Sequence, residues 1–148
     1  MIGDILKSLL APDPAPLPEP DARLALAALL VRIARSDGEY APAEIAQIDR
    51  GLAARHGLSP FEAAKLRREA EAMEAEAPDT VRFTRALKQA VPYEERLAII
   101  ETLWSVVLAD GTRQEEEDSL LRQIAPLLGV NDRDSNMARL KVQDTSDG

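Results

Sequence analysis

Two stretches of the chain decide the fold: they are RLALAALLVRIARSDG at residues 23–38 and RLAIIETLWSVVLADG at residues 96–111. Apolar side chains lie nearly all round a helix drawn through either stretch, and such helices are buried in protein cores. Each stretch ends in Asp-Gly, and glycine readily ends a helix in the left-handed conformation. The sequence therefore predicts two buried helices, each followed by an acidic turn.

The two stretches belong to an internal repeat with an offset of 73 residues. In this register Glu44 falls on Glu117 and Ile48 falls on Leu121. Two copies of one unit predict a bundle with pseudo-twofold symmetry. We expect the two apolar helices to pack together at its centre, with the helices that follow each Asp-Gly outside them.

Proline and glycine divide the chain into the predicted helices. No stretch alternates polar and apolar residues with the period of two that a half-buried strand shows. The predicted fold is therefore all-α, a bundle of about seven helices. Their predicted ranges are 21–36, 42–56, 59–76, 79–90, 93–109, 113–128 and 131–141.

Both ends of the chain are predicted to lie outside this bundle. Residues 2–10 carry apolar side chains at helical spacing, which predicts a short amphipathic helix. Residues 11–20 are rich in proline, which predicts an extended linker. The predicted division is residues 1–20, a helical domain over 21–142 with repeats at about 21–76 and 94–141, and a disordered polar tail over 143–148.

The composition argues against several classes of function. The chain has no cysteine, which excludes disulfides and zinc–thiolate sites, and its single histidine, His56, has no neighbours that indicate catalysis. A net charge of −8 without a basic face argues against nucleic acid as a partner. The chain also lacks a secretory signal and a run of about 18 apolar residues that could span a membrane. We expect a cytoplasmic protein that is not an enzyme.

The candidate site is a pair of Asp-Gly-x5-Glu segments, from Asp37 to Glu44 and from Asp110 to Glu117. Each aspartate follows the C-terminal end of a helix, where the macrodipole disfavours negative charge by about 0.3–1 kcal/mol. A tight turn would bring the two carboxylates of each segment together, and a divalent cation would offset their repulsion. Glu39 is an additional candidate ligand in the first turn, where the second turn has threonine.

A structural interpretation of the same residues is also open, and physical arguments alone favour it over a binding site. Gly38 and Gly111 fit left-handed helix caps, and Asp37 can cap the turn that follows it. Glu44 fits a capping carboxylate in the first turn of a helix, and Glu117 is then a surface residue. The spacing matches part of an EF-hand calcium loop, but the first ligand positions of that loop carry no side-chain oxygen here, which excludes the motif.

Three other features have ordinary structural interpretations. His56 precedes Gly57 and fits a cap at the end of a helix. Trp104 lies in the most apolar helix and is predicted to anchor the core. The acidic run 115–118 fits a solvated helix start, with a docking face for a basic partner as the alternative.

The repeated units resemble the TerB family of tellurite-resistance proteins, over about residues 21–141. The likeness is carried by Ala34-Arg35-Ser36-Asp37-Gly38 with Glu44, by Leu108-Ala109-Asp110-Gly111 with Glu117, and by residues 124–130. It implies an all-helical fold with internal twofold symmetry and a stress-response role at the cytoplasmic side of the membrane, as a scaffold or a metal-sensing component. It also implies a cation-binding or interaction surface at Asp37, Glu44, Asp110 and Glu117.

Two functional hypotheses follow. The first is a scaffold that binds a divalent cation or a basic partner through its acidic turns, with no other cofactor. The second is an adaptor or homodimerisation module that acts without metal through the predicted N-terminal helix. That helix would dock on its own bundle, on a second copy or on a partner; a membrane would attract it weakly, because Lys7 is its only basic residue.

Overall fold

The computed structural model describes residues 21–77, 79–109 and 115–147, and in these residues it has seven helices and no strand. The predicted all-α fold is confirmed. The predicted N-terminal helix, the linker and the turn at Asp110-Gly111 lie outside the described residues. The helices are α1 (Ala22–Arg35), α2 (Pro42–His56), α3 (Pro60–Glu76), α4 (Val81–Ala90), α5 (Tyr93–Val107), α6 (Glu115–Leu127) and α7 (Asp132–Asp147).

Helix α1 is the central element of the bundle. Every residue from Ala25 to Val31 is buried, on all sides of the helix, and α1 packs against α2, α3, α4, α5 and α6. Each fully buried leucine contributes about 1.5–3 kcal/mol relative to an exposed one. Asp21 begins the helix, since its Oδ1 accepts the backbone N–H of Leu24 at 2.9 Å. The prediction that this helix is buried on all sides is thus confirmed.

Helix α5 is the second buried element, and it packs against α1, α2, α6 and α7. Trp104 is 1% exposed, and its indole Nε1 donates a hydrogen bond to Oγ of Ser135 on α7, at 3.2 Å. The prediction that Trp104 anchors the core is confirmed. A close approach of α2 to α5 depends on Gly51, because a Cβ there would meet Cγ2 of Thr102 at 2.9 Å.

Most helix boundaries follow the sequence signals, and the last one does not. Gly57 ends α2 with a φ of 64°, and Ser59 opens α3 in a capping box with Glu62. Helix α7, in contrast, continues past residue 141 to Asp147, so residues 143–147 are helical and not a disordered tail. No glycine or proline interrupts this segment before Gly148, and polar residues alone do not end a helix.

Candidate cation site

The first acidic turn joins α1 to α2. Gly38 has a φ of 84°, the left-handed conformation that glycine adopts without strain. Oδ1 of Asp37 accepts the backbone N–H of Glu39 at 2.9 Å. Asp37 therefore caps the turn that follows it, as the structural interpretation predicts. Its side chain is only half-buried, so solvent reaches the turn at this residue.

Glu44 is the third residue of α2 and is 1% exposed. Its Oε1 accepts the backbone N–H of Ala41 at 3.2 Å. This is half of a capping box, because alanine has no side-chain oxygen to complete the other half. Pro42 occupies the first helical position, where its missing N–H costs nothing. The prediction that Glu44 is a capping carboxylate is confirmed.

Glu117 is the third residue of α6 and is also 1% exposed. Neither of its carboxylate oxygens accepts a hydrogen bond from a described residue. The predictions that Glu117 lies on the surface and that residues 115–118 form a solvated helix start are therefore wrong at this position. The reason is that Glu117 lies on the same face of α6 as the buried Leu121 and Ile124, in a helix that packs against α1 and α5.

The two acidic segments meet at Glu117. The carboxyl groups of Glu44 and Asp37 both act on that of Glu117, so the three groups lie near one another. Burial is the largest cause that raises the pKa of Glu117, and the carboxyl groups of Glu44 and Asp37 add to it, so that it moves from 4.5 to about 10. Carboxylates that share a buried site cannot all ionise without a compensating charge. A proton on Glu117 removes one of these charges, and the raised pKa of Glu117 favours that protonated form.

This arrangement differs from the two separate turn sites that the sequence predicts. Glu44 and Glu117 come from the two acidic segments and lie in one place with Asp37. Glu39 is exposed on the outside of the first turn and does not join them. Asp110, the remaining predicted ligand, lies outside the described residues.

The carboxyl groups of Asp37, Glu44 and Glu117 have the chemistry of a hard-cation site, but they do not form a complete metal site. In the three described ranges, no group of three histidine, aspartate or glutamate side chains is arranged to hold a metal ion. The converging atoms are all carboxylate oxygens, the ligands that Ca²⁺ and Mg²⁺ prefer. An ionised Glu117 without a hydrogen-bond donor costs several kcal/mol in a buried place, and a cation would remove that cost. The residue types present thus suit a hard divalent cation, although the described side chains are not arranged around one.

His56 is the last residue of α2, as predicted. Burial lowers its pKa, and the positive charges of Arg23 and Arg55 lower it further. Its buried Nε2 has no hydrogen-bond partner in the described part of the chain. These surroundings favour the neutral imidazole.

Comparison with known proteins identifies one family. The family model described as tellurite resistance protein TerB matches residues 23–140. No curated protein and no solved structure matches the chain. Among the described residues, no helix has the length and apolar character needed to span a bilayer.

Proposed function

This chain belongs to the TerB family, and we propose that it binds a hard divalent cation through one site shared by its two acidic segments. The ligands are Asp37, Glu44 and Glu117, with Asp110 as a further predicted ligand. We propose a cytoplasmic scaffold role for the protein, without catalysis, in which the cation ties the two halves of the bundle together.

The observation that carries the proposal is the buried carboxylate of Glu117. It is 1% exposed, has no hydrogen-bond donor among the described residues, and faces two other carboxyl groups. If this position had only a packing role, we would expect an apolar or amide side chain here, since an unpaired buried charge destabilises a fold. A glutamate in this position is explained by a ligand that supplies positive charge.

A small cation suits this site better than a basic partner protein. Glu44 and Glu117 are each 1% exposed, so a lysine or arginine from another protein could not reach them without opening the bundle. The half-buried Asp37 supplies a solvent-facing edge that an ion can reach. The adaptor hypothesis depends on residues 1–20, which lie outside the described residues, and it stays a prediction of the sequence.

Isothermal titration with Ca²⁺, Mg²⁺, Mn²⁺ and Zn²⁺ tests the proposal. We expect one cation to bind per chain, with the oxygen-preferring ions bound better than Zn²⁺. Glu117→Gln keeps the shape of the side chain and should abolish the heat of binding. Glu39→Gln is the matched control, because it removes the same charge from an exposed position in the same region.

Three results would count against the proposal. Wild-type protein that gives no heat with any of the four ions would exclude cation binding. Two cations per chain would favour two separate turn sites over a shared one. Equal losses in Glu39→Gln and Glu117→Gln would indicate a diffuse attraction of ions by the acidic surface. Asp110→Asn, measured in the same way, tests whether Asp110 belongs to the ligand set.

A further inference from the structure

We infer that Tyr40 is the positioning residue of the cation site, because its side chain fixes the turn whose peptide groups hold Asp37 and Glu44. The inference rests on the proposed function for the identity of the ligand. The anchoring itself depends only on contacts within the chain.

The side chain of Tyr40 ties the turn to three helices. Its hydroxyl donates a hydrogen bond to Oε2 of Glu71 on α3, at 2.6 Å. Nη1 of Arg67 lies 3.2 Å from the same Glu71 oxygen, and Nε of Arg67 lies 2.6 Å from Oδ1 of Asp49 on α2. The guanidinium of Arg35, at the end of α1, lies 5.0 Å from the centre of the Tyr40 ring. The ring is thus held by Arg35 at one face and by Glu71 at its hydroxyl.

The Tyr40 hydroxyl remains a donor over a wide pH range. Burial raises the pKa of Tyr40, and the hydrogen bond to Glu71 and the charge of that carboxylate raise it further. The positive charges of Arg67 and Arg35 act in the opposite direction and are smaller effects. The hydrogen bond to Glu71 therefore persists at neutral and mildly alkaline pH.

The backbone N–H groups of the two residues that flank Tyr40 hold the two carboxylates of the first segment. The N–H of Glu39 donates to Oδ1 of Asp37 at 2.9 Å, and the N–H of Ala41 donates to Oε1 of Glu44 at 3.2 Å. A change in the backbone at Tyr40 would move both donors at once. Groups that orient metal ligands without touching the metal typically contribute about ten- to a hundredfold to affinity.

The other tyrosine of the chain is a matched control. Tyr93 also donates its hydroxyl to a carboxylate, that of Asp134, and Arg96 lies 5.5 Å from the centre of its ring. Tyr93 is the first residue of α5, and Val107 is the last. Glu117 follows along the chain from the Val107 end. A helix of this length spans about 20 Å, so Tyr93 is distant from the carboxylates.

The first experiment compares Ca²⁺ titrations of full-length wild type, Tyr40→Phe and Tyr93→Phe. We expect Tyr40→Phe to weaken Ca²⁺ binding about tenfold and Tyr93→Phe to leave it unchanged, although each variant loses a similar hydrogen bond. Wild-type affinity in Tyr40→Phe would overturn the inference. Equal weakening in both variants would also overturn it, because a general loss of stability would then explain the effect.

The second experiment needs no cation. Amide hydrogen exchange, followed by NMR, reports the N–H groups of Glu39 and Ala41 directly. Tyr40→Phe should accelerate exchange at both amides, while Tyr93→Phe should not. If the wild type binds no cation, the proposed function is wrong, and accelerated exchange would still support the positioning role. Unchanged exchange at both amides would exclude that role.

Discussion

Glu44 and Glu117 occupy the same position in their helices, but their carboxyl groups have different surroundings. Each is the third residue of its helix and each is 1% exposed. Glu44 accepts the N–H of Ala41, so its charge has a donor from its own turn. Glu117 has no donor among the described residues and faces Glu44 and Asp37 instead. One carboxyl group caps a helix, and the other requires a proton or a cation to be stable in its buried place.

The difference shows that position in a helix does not decide whether a carboxylate is stable. Both side chains gain from the macrodipole at a helix N-terminus, by about 0.3–1 kcal/mol. Removing a carboxylate from water costs several kcal/mol unless hydrogen bonds or a counter-charge replace the water. The dipole is too small to compensate Glu117, so its proton or a cation must do so.

The largest expected effect is on the free energy of unfolding, and it distinguishes Glu117 from Glu44. In protein freed of cations at pH 8, Glu117→Gln should raise the free energy of unfolding by roughly 1–3 kcal/mol, because folding no longer requires the carboxyl group to take up a proton. The new amide can also donate to the carboxylates of Glu44 and Asp37. Urea denaturation in the presence of EDTA measures the change.

Glu44→Gln is the matched variant and should change the free energy of unfolding by less. Its amide oxygen can still accept the N–H of Ala41, and Glu117 remains buried. A Glu117→Gln protein that is less stable than wild type would contradict the comparison. It would mean that ionised Glu117 is already compensated within the folded chain.

The pH dependence of stability should show the same contrast. Because the pKa of Glu117 is raised in the folded state, the unfolded chain releases this proton above pH 4.5 while the folded chain keeps it. The free energy of unfolding of the cation-free protein should therefore fall as the pH rises from 5 to 9, by at most about 1.4 kcal/mol per pH unit. Saturating Ca²⁺ should reduce the fall, since the cation replaces the proton.

Glu117→Gln is the control for this pH series. His56 acts in the opposite direction, because its lowered pKa makes the unfolded chain the better proton acceptor below pH 6.5. Both proteins contain His56, so its contribution cancels in the difference between them. If the difference between wild type and Glu117→Gln is constant from pH 5 to 9, the titration of Glu117 does not contribute to stability.

The fold could be predicted from the sequence because its signals are local. The apolar residues of α1 surround the whole helix, and Gly57 and Ser59 mark one helix end and the next helix start. These features act within a few residues along the chain. The predicted end of α7 at residue 141 is wrong, because a polar segment without glycine or proline is compatible with either a helix or a disordered tail.

The site could be predicted only in part, because its decisive feature is tertiary. The capping role of Glu44 follows from Pro42 and the spacing of the turn. The burial of Glu117 depends on how α6 packs against α1, and an acidic run is typical of a solvated surface. The repeat register, which aligns Glu117 with Glu44, was the available signal. It does not show that the two residues lie in the same place.

The smallest expected effect concerns Asp37, the half-buried member of the cluster. Asp37→Asn keeps the oxygen that accepts the N–H of Glu39, so the free energy of unfolding should change by less than about 0.5 kcal/mol. Asp37→Ala removes that oxygen and should lose about 0.5–1.5 kcal/mol. Urea denaturation of both variants in EDTA measures the two effects. If Asp37→Asn stabilises the protein as much as Glu117→Gln does, repulsion from Asp37 outweighs burial as the source of the cost at Glu117.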